Sequence, residues 1–254
     1  MSARTAFIVG LLSCSLPVIA QNQTNTAYDP TEMAAAREAL YQSHGAQITY
    51  LIAGERLEYQ SNEGDPNVVW DGQGWIGGDV NKFWVKAEGE YSSDNDNFGE
   101  VELQALYSRA VHPFWDLQAG LRQDFKPDPS RTYGAIGLHG LAPYWFKLDG
   151  ALFVSHKGDL SARVEATYDF RLTQRLLLQP RLELNAAFSD DSAIGVGSGL
   201  STAEGGLRLR YEIAREFAPY IGLSWSRAYG DTADFRDASD IETISFVAGI
   251  RFWF

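Results

Sequence analysis

The chain has 254 residues, with 33 acidic against 21 basic side chains and a formal charge of −12. Nothing in that balance would neutralise a phosphate backbone, so nucleic acid is excluded as a partner. The one cysteine, Cys14, excludes a disulfide framework and any cysteine-based metal site.

Residues 1–20 read as a secretory signal. Arg4 supplies the positive charge, Ala6 to Ala20 the apolar core, and Val18-Ile19-Ala20 a small-residue end before a cut at Gln21. The apolar run falls short of the ~20 residues a spanning helix needs. The competing lipoprotein signal, Leu11-Leu12-Ser13-Cys14, would strand Ser15 to Ala20 as an apolar tail. Cleavage at Gln21 removes Arg4 and takes the charge to −13. Residues 21–47 read as a flexible periplasmic tail or plug. Gln21 to Asp29 is rich in Asn, Gln and Thr, and Thr31 to His44 predicts a short helix capped by Thr31.

From about Ile48 onward, apolar and polar residues alternate with period two. Twelve strands are predicted, near 48–60, 67–78, 82–92, 97–111, 114–125, 131–141, 144–155, 160–172, 176–188, 195–214, 217–229 and 243–254. The last is the clearest. Ile244, Phe246, Ala248, Ile250, Phe252 and Phe254 share one face, opposite Ser245, Val247, Gly249, Arg251 and Trp253. Polar faces carry both charge signs on nearly every strand. Aromatic residues, among them Trp70, Trp84, Tyr91, Tyr107, Trp115, Tyr144, Tyr168, Tyr220, Trp253 and Phe254, gather toward strand ends. A soluble sandwich explains neither feature. A closed antiparallel transmembrane β-barrel over 48–254 explains both, with apolar side chains in lipid, aromatic girdles and a polar lumen.

Short connections (Asp79-Val80-Asn81, His112-Pro113, Ala142-Pro143, Thr173 to Arg175, Arg215-Glu216) alternate with longer acidic ones such as Ser61 to Pro66 and Gly230 to Asp240. Short turns on the periplasmic side and longer external loops are the outer-membrane habit, and an even strand count leaves both termini in the periplasm.

Few residues carry chemistry. Ser43-His44 and Ser155-His156 are chain neighbours, and neighbours on a strand face opposite sides, so neither pair predicts a hydrolase. His139 shares a face with Tyr133, Ala135 and Gly137, opposite Ile136 and Leu138, and is expected in the lumen. Imidazole suits Cu(II) and thioether selects Cu(I), which makes Met33, His44 and His139 the candidate metal ligands. Lumen carboxylates Glu88, Glu90, Glu102, Asp116, Asp149, Glu165 and Asp169 are expected to pair with Lys86, Lys147, Arg122, Arg163, Arg171, Arg181 and Arg251. Uncompensated acids there would favour cations.

The block from Trp70-Asp71-Gly72 through Lys86-Ala87-Glu88-Gly89-Glu90 resembles the copper resistance protein B family, as does Leu57-Glu58-Tyr59 before it. Leu106 to Val111, Pro113 to Gly120 and the ending Gly249-Ile250-Arg251-Phe252-Trp253-Phe254 extend the resemblance over about 45–254. It implies an outer-membrane barrel in contact with lipid. Copper ions would be its ligand, and periplasmic copper proteins its partners in copper homeostasis or resistance. Members commonly carry a Met/His-rich segment before the barrel; here that region keeps only Met33 and His44. The resulting expectation is a non-enzymatic protein that sequesters copper or passes it across the outer membrane. The alternative is a narrow diffusion channel for small solutes.

Overall fold

The structure, a computed structural model, describes residues 29–45, 47–62, 66–93, 96–236 and 241–254. The predicted signal and residues 21–28 of the predicted tail lie outside these. The N-terminal segment and the chain from Gln47 onward are two separate compact units. In the first, α1 (Pro30–Leu40) continues as a π-helical turn over Tyr41–Gly45. Its cap is Asp29, one turn-start earlier than the predicted Thr31. The Asp29 carboxylate accepts from the Thr31 N–H at 2.8 Å, and Pro30 occupies the first helical position, where no donor is needed.

The second unit is all strand: β1 (Thr49–Ser61), β2 (Asn67–Gly77), β3 (Asn81–Ser92), β4 (Asn97–His112), β5 (Trp115–Lys126), β6 (Arg131–Ala142), β7 (Phe146–Ser155), β8 (Leu160–Thr167), β9 (Phe170–Arg171), β10 (Leu176–Ala187), β11 (Gly199–Tyr211), β12 (Phe217–Ala228) and β13 (Glu242–Trp253). A short helix, α2 (Gly230–Asp234), precedes β13. Successive strands pair antiparallel, and β13 returns to β1 from Ala53↔Trp253 to Ser61↔Phe246, closing the sheet. Because β8 and β9 are one interrupted strand, the barrel has twelve.

The interruption has a chemical cause. Tyr168 donates to the Pro180 carbonyl at 3.2 Å, but proline has no N–H with which to return the bond. The ladder resumes at Phe170↔Leu178. In β1, pairing steps from Gly54↔Gly72 to Arg56↔Asp71, a bulge that holds one extra residue. The inward set therefore changes phase, from Leu51 and Ala53 before it to Glu58 and Gln60 after it, and Glu55 and Arg56 both reach interior partners. Gly54 is required at this bend, since a Cβ there would lie 2.6 Å from the Phe252 ring.

The alternation resolves into two faces. On β13, Ile244 and Phe246 are 67% and 73% exposed, whereas Ser245 and Val247 are each 3% exposed. A closed sheet with apolar residues outward satisfies every wall amide internally, as lipid demands. Among the described residues no helix is long and apolar enough to cross a membrane.

Two expected boundaries move, and two aromatic residues change place. The seventh strand begins at Phe146, because Pro143–Trp145 forms a 3-10 turn with Tyr144 and Trp145 at φ 66° and 68°. The strand expected at 195–214 covers only Gly199–Tyr211. Two of the aromatic residues assigned to the girdles, Trp84 and Tyr220, are instead buried inside the barrel. Their neighbours Phe83 and Ile221 take the outward positions.

Candidate functional site

The interior mixes apolar and charged side chains. From β3 to β7, Trp84, Leu106, Tyr133, Ala135 and Phe153 form a buried apolar cluster, against which Trp75 and Ala151 pack. The polar lumen thus also contains an apolar cluster. The same strands turn Lys86, Glu88, Glu102, Arg122 and Asp124 inward, so apolar and charged side chains share their inner face.

The remainder is ion-paired. Arg163 on β8 reaches Glu88 at 3.2 Å and Glu102 at 2.9 Å, on β3 and β4. Arg122 binds the same Glu102 at 2.8 Å and Asp124 at 2.7 Å, with its guanidinium 4.6 Å from the Phe153 ring centroid. Arg181 gathers Glu165 at 2.9 Å, Glu204 at 3.3 Å and Glu183. Asp169 is held by Lys147 at 2.9 Å and Arg210 at 3.3 Å, and Asp116 by Lys82 at 3.3 Å. Glu90 accepts from the Asn67 amide. Arg251 pairs with Glu55 at 2.6 Å. Arg171 lies 3.9 Å from Glu212, so it serves none of the seven predicted carboxylates.

Several members of this network escaped the sequence reading: Glu55, Arg56, Glu58, Asp71, Glu183, Arg208 and Arg210. The pair Glu58–Arg208 is the most enclosed, with bonds of 2.8 and 2.9 Å and a third from the Tyr220 hydroxyl at 3.0 Å. Only the bulge in β1 turns Glu58 inward, and simple alternation across Gly54 hides it. For Arg208 and Arg210 the signal was present, since both alternate with Leu207 and Leu209 on β11.

His139 stands where its face predicted, in the lumen. Its Nδ1 lies 3.1 Å from Asp149 Oδ2, and its ring centroid 5.1 Å from that of Trp84. Lys86 also donates to Asp149. A carboxylate held by a cation is an acceptor, so the contact is made by a proton on His139 Nδ1. Glu55, Asp71, Lys86, His139, Asp149 and Arg181 border a cavity of about 120 Å³. Met33 is half-buried on α1, and His44 falls in the π-helical turn. Met33 and His44 belong to the first unit and His139 to the second. Among the described residues no group of three or more His, Cys, Asp or Glu is arranged to hold a metal ion.

The longer connections build one end of the barrel. The β10–β11 loop carries Asp191, which takes both Arg131 Nε at 2.9 Å and Arg131 Nη2 at 3.2 Å. The Arg131 hydrogen bonds hold the Asp191 carboxyl below the usual carboxylate range. In the same loop Gly197 donates to the buried Thr232 hydroxyl of α2 at 2.9 Å. A Cβ on Gly197 would lie 2.5 Å from Asp231.

An apolar exterior, an ion-paired interior and twelve strands closed antiparallel define a β-barrel of the outer-membrane class. The solved NanC porin shares this architecture, with a TM-score of 0.53 at 15% identity over 80% of this chain and 99% of the porin. The family model described as copper resistance protein B precursor (CopB) matches residues 48–254. Copper resistance protein B of Escherichia coli is 46% identical over 213 residues, 83% of this chain and 71% of the relative. The copper resistance protein B homolog of Pseudomonas syringae pv. tomato (strain ATCC BAA-871 / DC3000) is 44% identical over 229 residues, 87% and 77% of the two chains. The chain belongs to the copper resistance protein B family.

Proposed function

We propose that this barrel serves copper tolerance in the outer membrane by binding copper ions in its lumen and passing them across, without catalysing a reaction. The observation that carries this reading is the His139–Asp149 contact at 3.1 Å inside a barrel of this family. A carboxylate that fixes Nδ1–H orients the ring and raises the basicity of Nε2, the arrangement that supports histidine metal ligands elsewhere. One oriented imidazole beside carboxylates fits a borderline cation such as Cu(II). Without a third strong ligand, binding is weak enough for release, which suits a stop on a path better than a store.

Residues 1–20 act as the export signal in this reading, and residues 21–47 as a periplasmic tail whose Met33 and His44 bind copper. The longer loops face outward and both termini face the periplasm, where soluble copper proteins are the partners. Copper titration of the detergent-solubilised full chain, beside His139→Ala, tests the site. Loss of a saturable copper signal in the variant supports it, and an unchanged titration refutes it. A deletion strain whose copper sensitivity and periplasmic copper match those of the parent refutes the physiological role.

A further inference from the structure

We propose that Arg163 is the permeation-determining residue of the barrel, its guanidinium forming a crossbar that shuts the lumen to freely diffusing ions. The side chain leaves β8 and ends on carboxylates of β3 and β4, 75 and 61 residues away in the chain and across four intervening strand pairings from the nearer of them. It is bound at four points: Glu88 at 3.2 Å, Glu102 at 2.9 Å, Glu183 at 3.5 Å and Asn185, which accepts from Nε at 3.0 Å. Beneath it lies Phe153, fully buried, 5.9 Å from the guanidinium, and Arg122 stacks on the same ring while holding the same Glu102. Two guanidiniums thus share the Phe153 ring, and the crossbar spans the lumen from β8 to β3 and β4. The cavity of about 120 Å³ lies in the same lumen and is bordered by Glu88.

A hydrated ion crossing this level must part Arg163 from Glu88 and Glu102. Each charge-assisted bond corresponds to about ten- to a hundredfold in the open population, so the resting barrel is closed. Neutralising the side chain removes these bonds, so that Glu88 loses this cation while Glu102 keeps Arg122. Lysine keeps the charge but, as a compact point charge on a shorter reach, cannot fork between two carboxylates. The proposal concerns the lumen alone and stands apart from the copper reading.

The test is planar-bilayer recording of the purified full chain in potassium chloride without copper. Wild type should pass little steady current, Arg163→Gln should raise time-averaged conductance about tenfold or more, and Arg163→Lys should fall between. Lys126→Gln, in an exposed pair with Asp128, should match wild type. A wild type that conducts steadily, or a folded Arg163→Gln as silent as wild type, overturns the proposal. If Arg163→Gln does not fold, Arg163→Lys decides: a rise supports the crossbar, and no rise overturns it. Because copper is absent, this result and the copper-tolerance result can fail separately.

Discussion

Removing Arg208 should cost this barrel more than removing Arg208 and Glu58 together. The Glu58 side chain has no solvent exposure and that of Arg208 only 4%, so neither charge can fall back on water. Arg208 holds Glu58 through Nε at 2.9 Å and Nη2 at 2.8 Å. Two charge-assisted bonds contribute about 1.5–3 kcal/mol each. Tyr220, donating at 3.0 Å, and Gln60 remain to hold part of the stranded carboxylate. Arg208→Met should therefore destabilise by about 3–5 kcal/mol, the range for breaking one side of a buried pair. The double variant Glu58→Gln with Arg208→Met leaves a neutral acceptor for the Tyr220 hydroxyl and no buried charge. Its cost should be about 1–2 kcal/mol or less. Urea titration of the folded barrel, followed by tryptophan fluorescence, reads the difference. With a urea slope of about 2–3 kcal/mol/M, the single variant should lower the midpoint by roughly 1–2 M. A single-variant cost under about 1 kcal/mol, or a double variant as unstable as the sum of both singles, would refute the reasoning.

Ile221 is an outward residue midway along β12. Ile221→Arg should cost about 2–4 kcal/mol in lipid vesicles if it meets hydrocarbon, and a neutral result would place that face elsewhere. The Asp191 carboxyl has its folded pKa below the ordinary value through Arg131, so its stabilising contribution is complete above the unfolded pKa and disappears as pH falls through the folded one. Hydrogen exchange in 188–198 should accelerate on acidification below about pH 4, and Asp191→Asn should abolish that dependence. Asp149→Asn, which removes the carboxylate that orients His139, should weaken copper binding by about ten- to a hundredfold in calorimetry while the barrel stays folded. Equal affinity would show that the His139 ring needs no such support.

Much of the barrel was legible in the chain because a strand's two faces are set by local chemistry. Period-two alternation from Thr243 to Phe254 requires no knowledge of neighbours, and the same holds for β3, β4, β7 and β11. Turn residues and loop lengths then ordered the strands. His139 was placed in the lumen by the same parity, and Glu88, Glu102, Asp116, Asp149, Glu165 and Asp169 each have a cation partner within the barrel. Parity fails where the backbone departs from regular pleating. The bulge at Gly54 to Arg56 turned Glu58 inward, and Pro180 broke the strand opposite it.

Closure decided the rest. Which cation meets which acid is a matter of distance across a closed tube, and Arg163 and Arg208 find partners 61 to 150 residues away. The apolar cluster around Phe153 likewise exists only because five strands turn their inward residues onto one another. Side-chain periodicity is a property of one strand, whereas a lumen is a property of twelve. Local pattern therefore specifies the wall, and the contents of the interior follow from curvature and register.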